Sequence, residues 1–283
     1  MWTVGNTLKW TIDFFKKKGI ETPRLDAEIL LAFVLKKERI YLYVNFDQPL
    51  EPTELAAYRE LVKKRAARLS VAHIIGRKEF MGLSFAVSTD TLVPRPETEI
   101  LVGAATERLA AVKGESFADI GTGSGAIAVS VCRFLPKVQA VATDISENAL
   151  KIAEQNAREL ETFDRTEFFC GDLTEPIKDR KFTAILSNPP YIPQRDAGIL
   201  PPEVQAEPAC ALFGGNDGLD FYRRLAEDAP LMLNDKGFIA VEVGINQASI
   251  VAELFKKNSA VGKTEIIKDL AHIERVVVAW KQE

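Results

Sequence analysis

Reactive side chains are scarce in this sequence of 283 residues. It contains only two histidines, His73 and His272, which leaves few residues for an imidazole base or a histidine-rich metal site. The cysteines Cys132, Cys170 and Cys210 are too far apart in the chain to suggest a disulfide pair or a metal-binding spacing. We interpret them as small buried apolar residues and expect no metal ion, so the chemistry must depend on other groups.

Long apolar runs and a strong net charge are missing too. No apolar stretch approaches the roughly 18 residues of a membrane-spanning helix, and MWTVGNTLKW lacks the basic and apolar regions of a signal peptide. The net charge of −4 gives no overall field that attracts nucleic acid, which weighs mildly against a nucleic-acid partner. We expect a cytoplasmic protein without a membrane partner. For want of an identifiable apolar surface stripe, we also expect a monomer.

Helical periodicity dominates the first 75 residues. The apolar positions at helical spacing are Leu8, Ile12 and Phe15, then Leu25, Ile29, Leu30, Phe33 and Val34, and then Leu55, Tyr58, Leu61 and Val62. Gly19 follows the first group as a predicted C-terminal cap. The third group ends in a basic run of Lys63, Lys64, Arg65 and Arg68. We interpret this run as a solvated face near a helix C-terminus, with a contact patch for a macromolecule as the alternative.

A hairpin and an alternation of strands and helices follow. Two short strand-like runs flank Gly82 in EFMGLSFAVS, and Thr98 with Glu99 begins a helix after the extended VPRP. From about residue 115, strand-like and helical runs alternate, which predicts a mostly parallel sheet with helices on both faces. The last two strands, TEIIKDL and RVVVAW, have no helix between them and are predicted to pair antiparallel.

The segment ADIGTGSGAIAVSV reads as a strand, a glycine turn and a helix. Gly121, Gly123 and Gly125 allow the backbone to turn sharply near a ligand, and the helix N-terminus supplies unpaired N–H groups. The spacing is G-x-G-x-G rather than the G-x-G-x-x-G of dinucleotide folds. We predict a bound ligand at this turn, although a simple tight turn between strand and helix remains the alternative.

Acidic residues near this turn suggest a nucleoside. Asp144 ends the next strand, VQAVATD, about twenty residues further on, where a carboxylate can accept both ribose hydroxyls. Asp172, in FFCGD, either meets an adenine amino group or caps a turn, and Leu173 can cover the adenine face. Asp119 either orients the amino end of a methionine moiety or caps the loop. Because the glycine spacing argues against a pyrophosphate, we predict S-adenosylmethionine as the cofactor.

The segment ILSNPPYIP places an asparagine and two prolines directly after a strand. Strand FTAILS delivers Asn188 to its carboxyl end, where ligands bind in open α/β sheets, and the following proline holds Asn188 extended. Since Pro189 and Pro190 donate no N–H, the turn presents two acceptors, the Asn188 side-chain oxygen and the Pro189 carbonyl. They suit the two hydrogens of a planar –NH2 group. Tyr191 would stack on that group and orient it.

These acceptors also suggest how such a nitrogen is activated. Its lone pair is normally delocalised, and acceptors for both hydrogens favour the pyramidal nitrogen that forms as a methyl group arrives. The attack then needs no general base, which suits a chain with two histidines.

Taken together, these motifs resemble the HemK/PrmC family, whose members methylate the N5 nitrogen of the glutamine in the GGQ motif of peptide chain release factors. The resemblance covers nearly the whole chain. Its motifs are VPRPETEILV, DIGTGSGAIA, DISENAL, GDL, SNPPYIP, EPACALFGGNDGLDFYR, GFIAVEVGINQ and DLAHIERVVVAW. NPPY alone is shared with DNA adenine and RNA guanine methyltransferases, whereas PRPETE and EPACALFGG are typical of this family.

The family implies an α/β fold, with a Rossmann-like, seven-stranded class I methyltransferase domain over residues 93–283. It also implies a helical domain over residues 1–75 that engages the release factor and a β-hairpin linker over residues 76–92. Carried over by position, the cofactor residues are Gly121, Thr122, Gly123, Ser124, Gly125, Asp144, Asp172, Leu173 and Asn188. The substrate glutamine would be held by Asn188, Pro189, Pro190 and Tyr191.

Some positions and alternatives stay open. Arg95 and Glu97 either shape the pocket mouth or form an ordinary ion pair, and His272 stands where the family usually has glycine. A methyltransferase for adenine or guanine amino groups shares the acceptor logic but would need a flipped base. A nicotinamide dehydrogenase is disfavoured by the glycine spacing, and a non-catalytic nucleoside-binding protein leaves NPPY without a role.

Overall fold

Two packing units divide the chain, which the computed structural model describes over residues 1–113 and 115–282. One unit contains Met1–Gly76 together with Pro201–Ala206, and the other contains Arg77–Leu200 and Glu207–Glu283. No helix within the described ranges combines the length and the apolar character needed to cross a lipid bilayer.

The first unit is helical. Its helices are α1 (Val4–Lys17), α2 (Pro23–Leu35), α3 (Arg39–Val44), α4 (Pro52–Ala66) and α5 (Val71–Ile75). The three predicted helices correspond to α1, α2 and α4, and Gly19 has a φ of +68° just beyond α1, as expected of a cap. The sequence pattern missed α3 and α5, because helices of six and five residues are too short to show a period.

The interpretation of the basic run as a solvated face is wrong for Arg65. This side chain is buried, and its Nε donates to Asp26 at 2.7 Å while its Nη1 donates to Glu203 at 2.8 Å. Arg68 donates to the Lys18 carbonyl at 2.6 Å, whereas Lys64 is exposed. Position 65 lies three residues after the buried Val62, so the helical period places it on the apolar face of α4.

The second unit begins with an antiparallel hairpin of β1 (Arg77–Phe80) and β2 (Leu83–Ala86). The turn residues Met81 and Gly82 both have positive φ, as a two-residue hairpin turn requires. Phe80 and Phe85 pack into the main core of this unit.

A mixed sheet of seven strands forms the centre of the second unit. The strands are β3 (Ser116–Ile120), β4 (Gln139–Asp144), β5 (Thr166–Cys170), β6 (Phe182–Ser187), β7 (Leu233–Glu242), β8 (Val261–Lys268) and β9 (Glu274–Lys281), in the order β5-β4-β3-β6-β7-β9-β8. Strand β9 runs opposite to the other six strands of this sheet, so it pairs antiparallel with both β7 and β8. The predicted parallel sheet with an antiparallel final pair is therefore confirmed.

Helices cover both faces of this sheet. They are α6 (Thr98–Ala111), α7 (Ala126–Phe134), α8 (Glu147–Glu159), α10 (Asp220–Asp228) and α11 (Ala248–Lys256), while the short α9 (Pro202–Gln205) belongs to the first unit. Because side chains alternate along a strand, Phe117 joins the core beneath α6 and α7, whereas Ala118 joins the core beneath α10 and α11.

The order of the strands creates a crevice. Strand β3 pairs with β4 on one side and with β6 on the other, so the chain reverses its direction of winding at β3. In open α/β sheets, ligands bind outside the carboxyl ends of the strands at such a point. The glycine turn, Asp144 and Asn188 all follow these strand ends.

The backbone conformation at His272 explains why a glycine would suit this position. His272 lies in the turn between β8 and β9 with a φ of +62°, and its N–H donates to the Asp269 carbonyl at 2.9 Å. Most L-residues disfavour this left-handed conformation. The turn keeps its shape with histidine, at the cost of backbone strain.

The expectation that all three cysteines are buried is wrong for two of them. Cys132 is buried in α7, and burial raises the pKa of its thiol to about 11. Cys170 and Cys210 are exposed. Cys170 ends an edge strand and Cys210 lies in the long loop after NPPY, and sequence periodicity does not report burial at either kind of position.

Candidate active site

A cavity at the carboxyl edge of the sheet brings the predicted ligand-binding segments together. It is lined by Asp90, Thr91, Leu92, Gly121, Gly123, Asp144, Ile145, Ser146, Ala149, Asp172, Leu173, Asn188, Pro190, Cys210, Ala211, Phe213 and Phe221. Thr122, Ser124, Gly125, Pro189 and Tyr191, which the sequence also suggested, are not among the lining residues.

The glycine turn has the geometry that its residues predict. Gly121, Gly123 and Gly125 have φ values of +72°, +57° and +79°. A Cβ atom on Gly125 would lie 3.1 Å from the Ala153 Cβ, so α7 and α8 can approach only with glycine there. Cβ atoms on Gly121 and Gly123 would meet nothing within 4 Å, because both residues face the cavity.

Asp144 anchors the turn and faces the cavity. Its Oδ2 accepts from the Gly123 N–H at 2.8 Å and its Oδ1 accepts from the Ser146 N–H at 2.9 Å. Burial raises the pKa of this carboxyl, and the backbone hydrogen bonds only partly oppose the shift. Each carboxylate oxygen accepts more than one hydrogen bond, so both retain capacity for the hydroxyls of a sugar.

Asp119 closes the loop from beneath. Its Oδ2 accepts from the Thr122 hydroxyl at 2.6 Å and from the Ala128 N–H at 3.0 Å, so one unpaired N–H of α7 is satisfied within the protein. This arrangement is the loop-capping alternative that the sequence left open. Burial raises the pKa of Asp119 to about 7.

Asp172 and Leu173 follow β5, which lies on the opposite side of β3 from β6 in the sheet, and they share the cavity with the NPPY segment. The Asp172 carboxylate is paired with Arg224 at 2.7 Å, which competes with any contact to a base. Leu173 has a φ of +48°, and its carbonyl accepts from the Thr143 hydroxyl at 2.9 Å. Its side chain is thus held at the cavity wall.

These residues fit a nucleoside better than a dinucleotide. Apolar side chains of Leu92, Ile145 and Leu173 can flank a planar ring, and Asp144 offers acceptors for sugar hydroxyls. No lysine or arginine lines the cavity within the described residues, so nothing there neutralises a pyrophosphate. The set of donors and acceptors therefore matches a cofactor without phosphates.

Asn188 reaches the cavity at the end of β6. Ser187, directly before it, is buried, and its hydroxyl donates to the Ile120 carbonyl at 2.7 Å. The Asn188 side-chain nitrogen donates to the Thr98 hydroxyl at 3.1 Å. Within residues 1–113 and 115–282, no donor contacts the Asn188 side-chain oxygen or the Pro189 carbonyl, so both remain available as acceptors.

Glycines and a glutamine hold the backbone that follows Asn188. A Cβ atom on Gly214 would lie 2.5 Å from the Pro190 carbonyl oxygen, and one on Gly244 would lie 3.0 Å from the Tyr191 ring. The Gln247 side chain donates to the Tyr191 carbonyl at 3.0 Å. The segments FGGNDGLD and EVGINQ, which carried part of the resemblance, therefore act as the support of NPPY.

Tyr191 packs beside the core rather than at the cavity wall. It contacts the buried cluster that contains Tyr222 and Val243, and burial raises its pKa to about 12. The predicted stacking of Tyr191 on a substrate amide stays a prediction.

Arg95 and Glu97 do not pair with each other. Arg95 Nη2 contacts both carboxylate oxygens of the buried Glu207, at 2.9 and 2.8 Å, and Glu97 lies 3.7 Å from Arg275. The ion pair between Arg95 and Glu97 that was considered from the sequence is therefore not formed by these two described residues. Arg95 instead fixes the chain at position 207, shortly before the cavity-lining Cys210.

Sequence reasoning missed several residues of the cavity. Asp90, Thr91 and Leu92 follow the hairpin, and Phe213 and Phe221 flank the glycines of FGGNDGLDF. Only the resemblance of that last segment pointed to the two phenylalanines. Asn156 of α8 was also missed, although its side chain bonds Ala86 and the Ser124 carbonyl and so supports the turn.

Comparison with known proteins decides the family. A family model described as "PrmC N-terminal domain" matches residues 6–76, and one described as "Methyltransferase small domain" matches residues 97–199. A release factor glutamine methyltransferase of Geobacter sulfurreducens is 45% identical over 258 residues, which cover 91% of this chain and 89% of the relative. The chain belongs to the release factor glutamine methyltransferase family. The relative of the same name from Rhodopirellula baltica is 44% identical over 286 residues, which cover 99% and 97%.

Solved structures share the fold of this family member. A methyltransferase from Pyrococcus furiosus has a TM-score of 0.55 at 20% identity and covers 78% of this chain and 100% of its own. The hMettl16 catalytic domain, solved in complex with MAT2A 3'UTR hairpin 6, has a TM-score of 0.58 at 17% identity and covers 78% of this chain and 82% of its own. At these identities the likeness concerns the fold alone, and it confirms the predicted methyltransferase fold.

Proposed function

We propose that this protein transfers a methyl group from S-adenosylmethionine to the side-chain N5 nitrogen of the glutamine in the GGQ motif of release factors. The observation that carries the proposal is the rigid NPPY segment, whose Asn188 lines the same cavity as the glycine turn and Asp144. Relatives that cover nearly the whole chain are named release factor glutamine methyltransferases, which supports it further.

The glycine turn and Asp144 would hold the cofactor. Asp144 would accept from the ribose hydroxyls, and Leu173 would cover the adenine. Gly121 and Gly123 leave room for the ligand next to the backbone, where a side chain would project into the cavity. S-adenosylmethionine supplies an electrophilic methyl group on its sulfonium.

Asn188 and Pro189 would act on the glutamine amide. The Asn188 side-chain oxygen and the Pro189 carbonyl would each accept one hydrogen of the substrate –NH2 group. This arrangement favours a pyramidal nitrogen whose lone pair is free to attack. The attack needs no base, because the nitrogen loses its proton after the methyl group has arrived. Holding the reacting atoms in line accounts for most of the expected acceleration.

The division of labour along the chain follows the family. Residues 1–75 would engage the release factor, residues 76–92 would link the domains, and residues 93–283 would carry out the transfer. Because release factors act during translation, we propose that the protein works in the cytoplasm.

Methyl transfer itself provides the first test. The protein is incubated with methyl-labelled S-adenosylmethionine and, separately, a release factor, its GGQ glutamine-to-alanine variant, bulk RNA and bulk DNA. We expect label on the wild-type factor alone. Label on nucleic acid would mean that the acceptor chemistry is correct and the substrate is not, and label on the alanine variant would exclude the GGQ glutamine.

The Asn188→Ala variant tests the assigned role of the NPPY segment. We expect turnover to fall by a factor of about 100 to 1,000, the usual loss when one transition-state hydrogen bond is removed. Affinity for S-adenosylhomocysteine, measured by calorimetry, should change much less. Equal losses in turnover and affinity would instead make Asn188 a cofactor ligand only.

A further inference from the structure

The side-chain amide of Asn188 has two different ends, and only one suits the proposed substrate. The oxygen accepts hydrogen bonds, whereas the nitrogen carries two hydrogens to donate. A substrate –NH2 group needs acceptors, so the oxygen must face it. Rotation of the amide by half a turn would present donors instead, and the broad two-fold torsion of asparagine does not select between these states.

Thr98 occupies the nitrogen end of this amide. The Asn188 Nδ2 atom donates to the Thr98 Oγ1 atom at 3.1 Å, across 90 residues of sequence. Thr98 is the first residue of α6 and is 4% exposed, so water does not compete for its hydroxyl. The contact therefore leaves the Asn188 oxygen directed away from Thr98.

Glu242 determines the direction in which the Thr98 hydroxyl points. It ends β7, the strand paired with β6, and a hydrogen bond with the Thr98 hydroxyl is one of the influences that lower the pKa of its carboxyl. Glu242 is 1% exposed, and no donor contacts its Oε2 atom in the described part of the chain. An ionised carboxylate only accepts, so Thr98 must donate to Glu242 and can only accept from Asn188.

We propose that Thr98 and Glu242 are positioning residues that orient the Asn188 amide, so that its oxygen faces the –NH2 group of the substrate glutamine. This inference deepens the proposed function and rests on it, because a substrate that presents an acceptor would require the opposite orientation.

The charge of Glu242 makes the orientation depend on pH. Burial raises the pKa of Glu242 to about 7, although the hydrogen bond from Thr98 opposes the shift. The charged and titratable groups that face Glu242 are Glu97, Arg95, Arg275, Tyr191 and Tyr222. A protonated Glu242 can donate to Thr98, whose hydroxyl is then free to donate to Asn188. The selection of the oxygen end is lost as pH falls through about 7.

Three single substitutions in α6 distinguish a positioning role of Thr98 from a role in folding. Thr98→Val removes the hydroxyl at nearly constant volume, and Thr98→Ser restores it. Thr106→Val is the matched control, because its hydroxyl donates at 2.7 Å to the Val102 carbonyl of the same helix, away from the cavity. Turnover and KM for the release factor, affinity for S-adenosylhomocysteine and thermal stability are measured for each.

We expect Thr98→Val to lower kcat about 10-fold to 100-fold while affinity for S-adenosylhomocysteine stays within about 2-fold. Thr98→Ser should recover most of kcat, and Thr106→Val should match the wild-type protein. An unchanged kcat in Thr98→Val, or a Thr98→Ser variant as slow as Thr98→Val, would overturn the proposal.

A second readout requires no turnover. In a proton–nitrogen correlation spectrum, the Asn188 side-chain resonances can be assigned by their disappearance in Asn188→Ala. The hydrogen bonded to Thr98 should exchange slowly with water in the wild-type protein and in Thr106→Val, and quickly in Thr98→Val. Fast exchange already in the wild-type protein would contradict the bond between Asn188 and Thr98.

Glu242→Gln tests the directional role of the carboxylate. A glutamine can donate as well as accept, so we expect kcat to fall about 10-fold and its decline below pH 7 to disappear. Because both residues act through Asn188, the Thr98→Val and Glu242→Gln double variant should lose little more than either alone. Fully additive losses would show two independent roles.

The wild-type reaction distinguishes the two proposals. If the wild-type protein transfers no methyl group to a release factor, the proposed function fails and the inference fails with it. If it transfers the group and the Thr98 and Glu242 variants behave like the wild-type protein, only the positioning role fails.

Discussion

In the N-terminal unit, each of two buried carboxylates has an arginine partner. Asp26 pairs with the buried Arg65 at 2.7 Å, and Glu28 pairs with Arg24 at 2.8 Å and with Arg39 at 2.6 Å. Burial alone would raise the pKa of Glu28, but the hydrogen bonds from its partners outweigh this effect and hold the pKa below its usual value. These charges are compensated within the unit.

In the other unit, three acidic side chains at the carboxyl edge of the sheet have no such partner. Asp119, Asp144 and Glu242 lie at the ends of β3, β4 and β7, and no cation within the described ranges forms a salt bridge with them. Burial raises the pKa of all three, for Asp119 and Glu242 to about 7.

The difference separates charges that hold a fold from charges that serve a site. A paired buried charge is costly to disrupt and contributes little chemistry. Carboxyls whose pKa is raised by burial and that have no cation as partner are concentrated at functional sites. There they orient loops, ligands and other side chains. Overall charge follows the same division, since the first unit has 13 basic and 10 acidic residues and the second has 23 and 30.

The strongest test of this comparison breaks a compensated pair. Arg65→Met leaves Asp26 buried without its cation, and we expect the first unit to lose about 3–5 kcal/mol of unfolding free energy. Hydrogen exchange of α2 and α4, followed by mass spectrometry, reports this unit separately. Lys64→Met, at an exposed position of the same helix, serves as control. Equal protection in both variants would mean that the pair is not structural.

Removing a buried charge that has no cation partner should instead raise the free energy of unfolding at neutral pH. The pKa of Asp119 rises from 3.8 to about 7 on folding, so its favourable contribution is present below pH 4 and is lost as pH rises through 7. Asp119→Asn does not titrate, and its unfolding free energy relative to the wild-type protein should increase from pH 4 to pH 8.

The increase should be on the order of a few kcal/mol, since one pKa unit corresponds to about 1.4 kcal/mol. Denaturant titrations at several pH values measure it, with Asp164→Asn as an exposed control. A difference that stays constant with pH would show that Asp119 titrates normally.

Two of the acids that line the cavity, Asp144 and Asp172, should differ in their effect on ligand binding. Among the described residues, the Asp144 carboxylate accepts from backbone N–H groups and has no cation partner, whereas Asp172 is paired with Arg224. We expect Asp144→Ala to weaken S-adenosylhomocysteine binding about 10-fold to 100-fold, as the loss of hydrogen bonds to a charged group implies. Asp172→Ala should change it less, and calorimetry that finds the reverse order would move the ribose away from Asp144.

The smallest expected effect concerns a backbone strain rather than a charge. His272→Gly relieves the left-handed conformation but adds entropy to the unfolded chain, so the net gain should stay below about 1 kcal/mol. That gain corresponds to a rise in Tm of roughly 2–4 °C or less. His272→Ala keeps the strain and should show no gain. A comparable rise in both variants would remove the backbone explanation.

Local patterns pointed to the segments that meet at the candidate site. Gly121 to Gly125, Asp144 and the NPPY segment were found because each depends on neighbours in sequence: glycine allows positive φ, proline restricts φ, and strand ends carry ligands. The helices α1, α2 and α4 and the antiparallel pair of β8 and β9 were predicted for similar reasons.

The ion-pair partners of the charged side chains were not predictable in this way. Arg65 was interpreted as solvated, and Arg95 was considered with Glu97, because charges are conspicuous in sequence while their distant partners are not. Arg65 finds Asp26 across 39 residues, and Arg95 finds Glu207 across 112. Such contacts form only once packing has brought distant elements together.

By itself the sequence determined where the backbone must turn, which residues stand at the strand ends and which acceptors NPPY presents. These features follow from the torsional limits of glycine and proline, which act over a few residues. The tertiary structure decided which carboxyls are desolvated and which find a cation, and it brought Thr98 and Glu242 behind Asn188. Desolvation and hydrogen-bond pairing depend on the packing of elements far apart in the chain, and no local pattern encodes that packing.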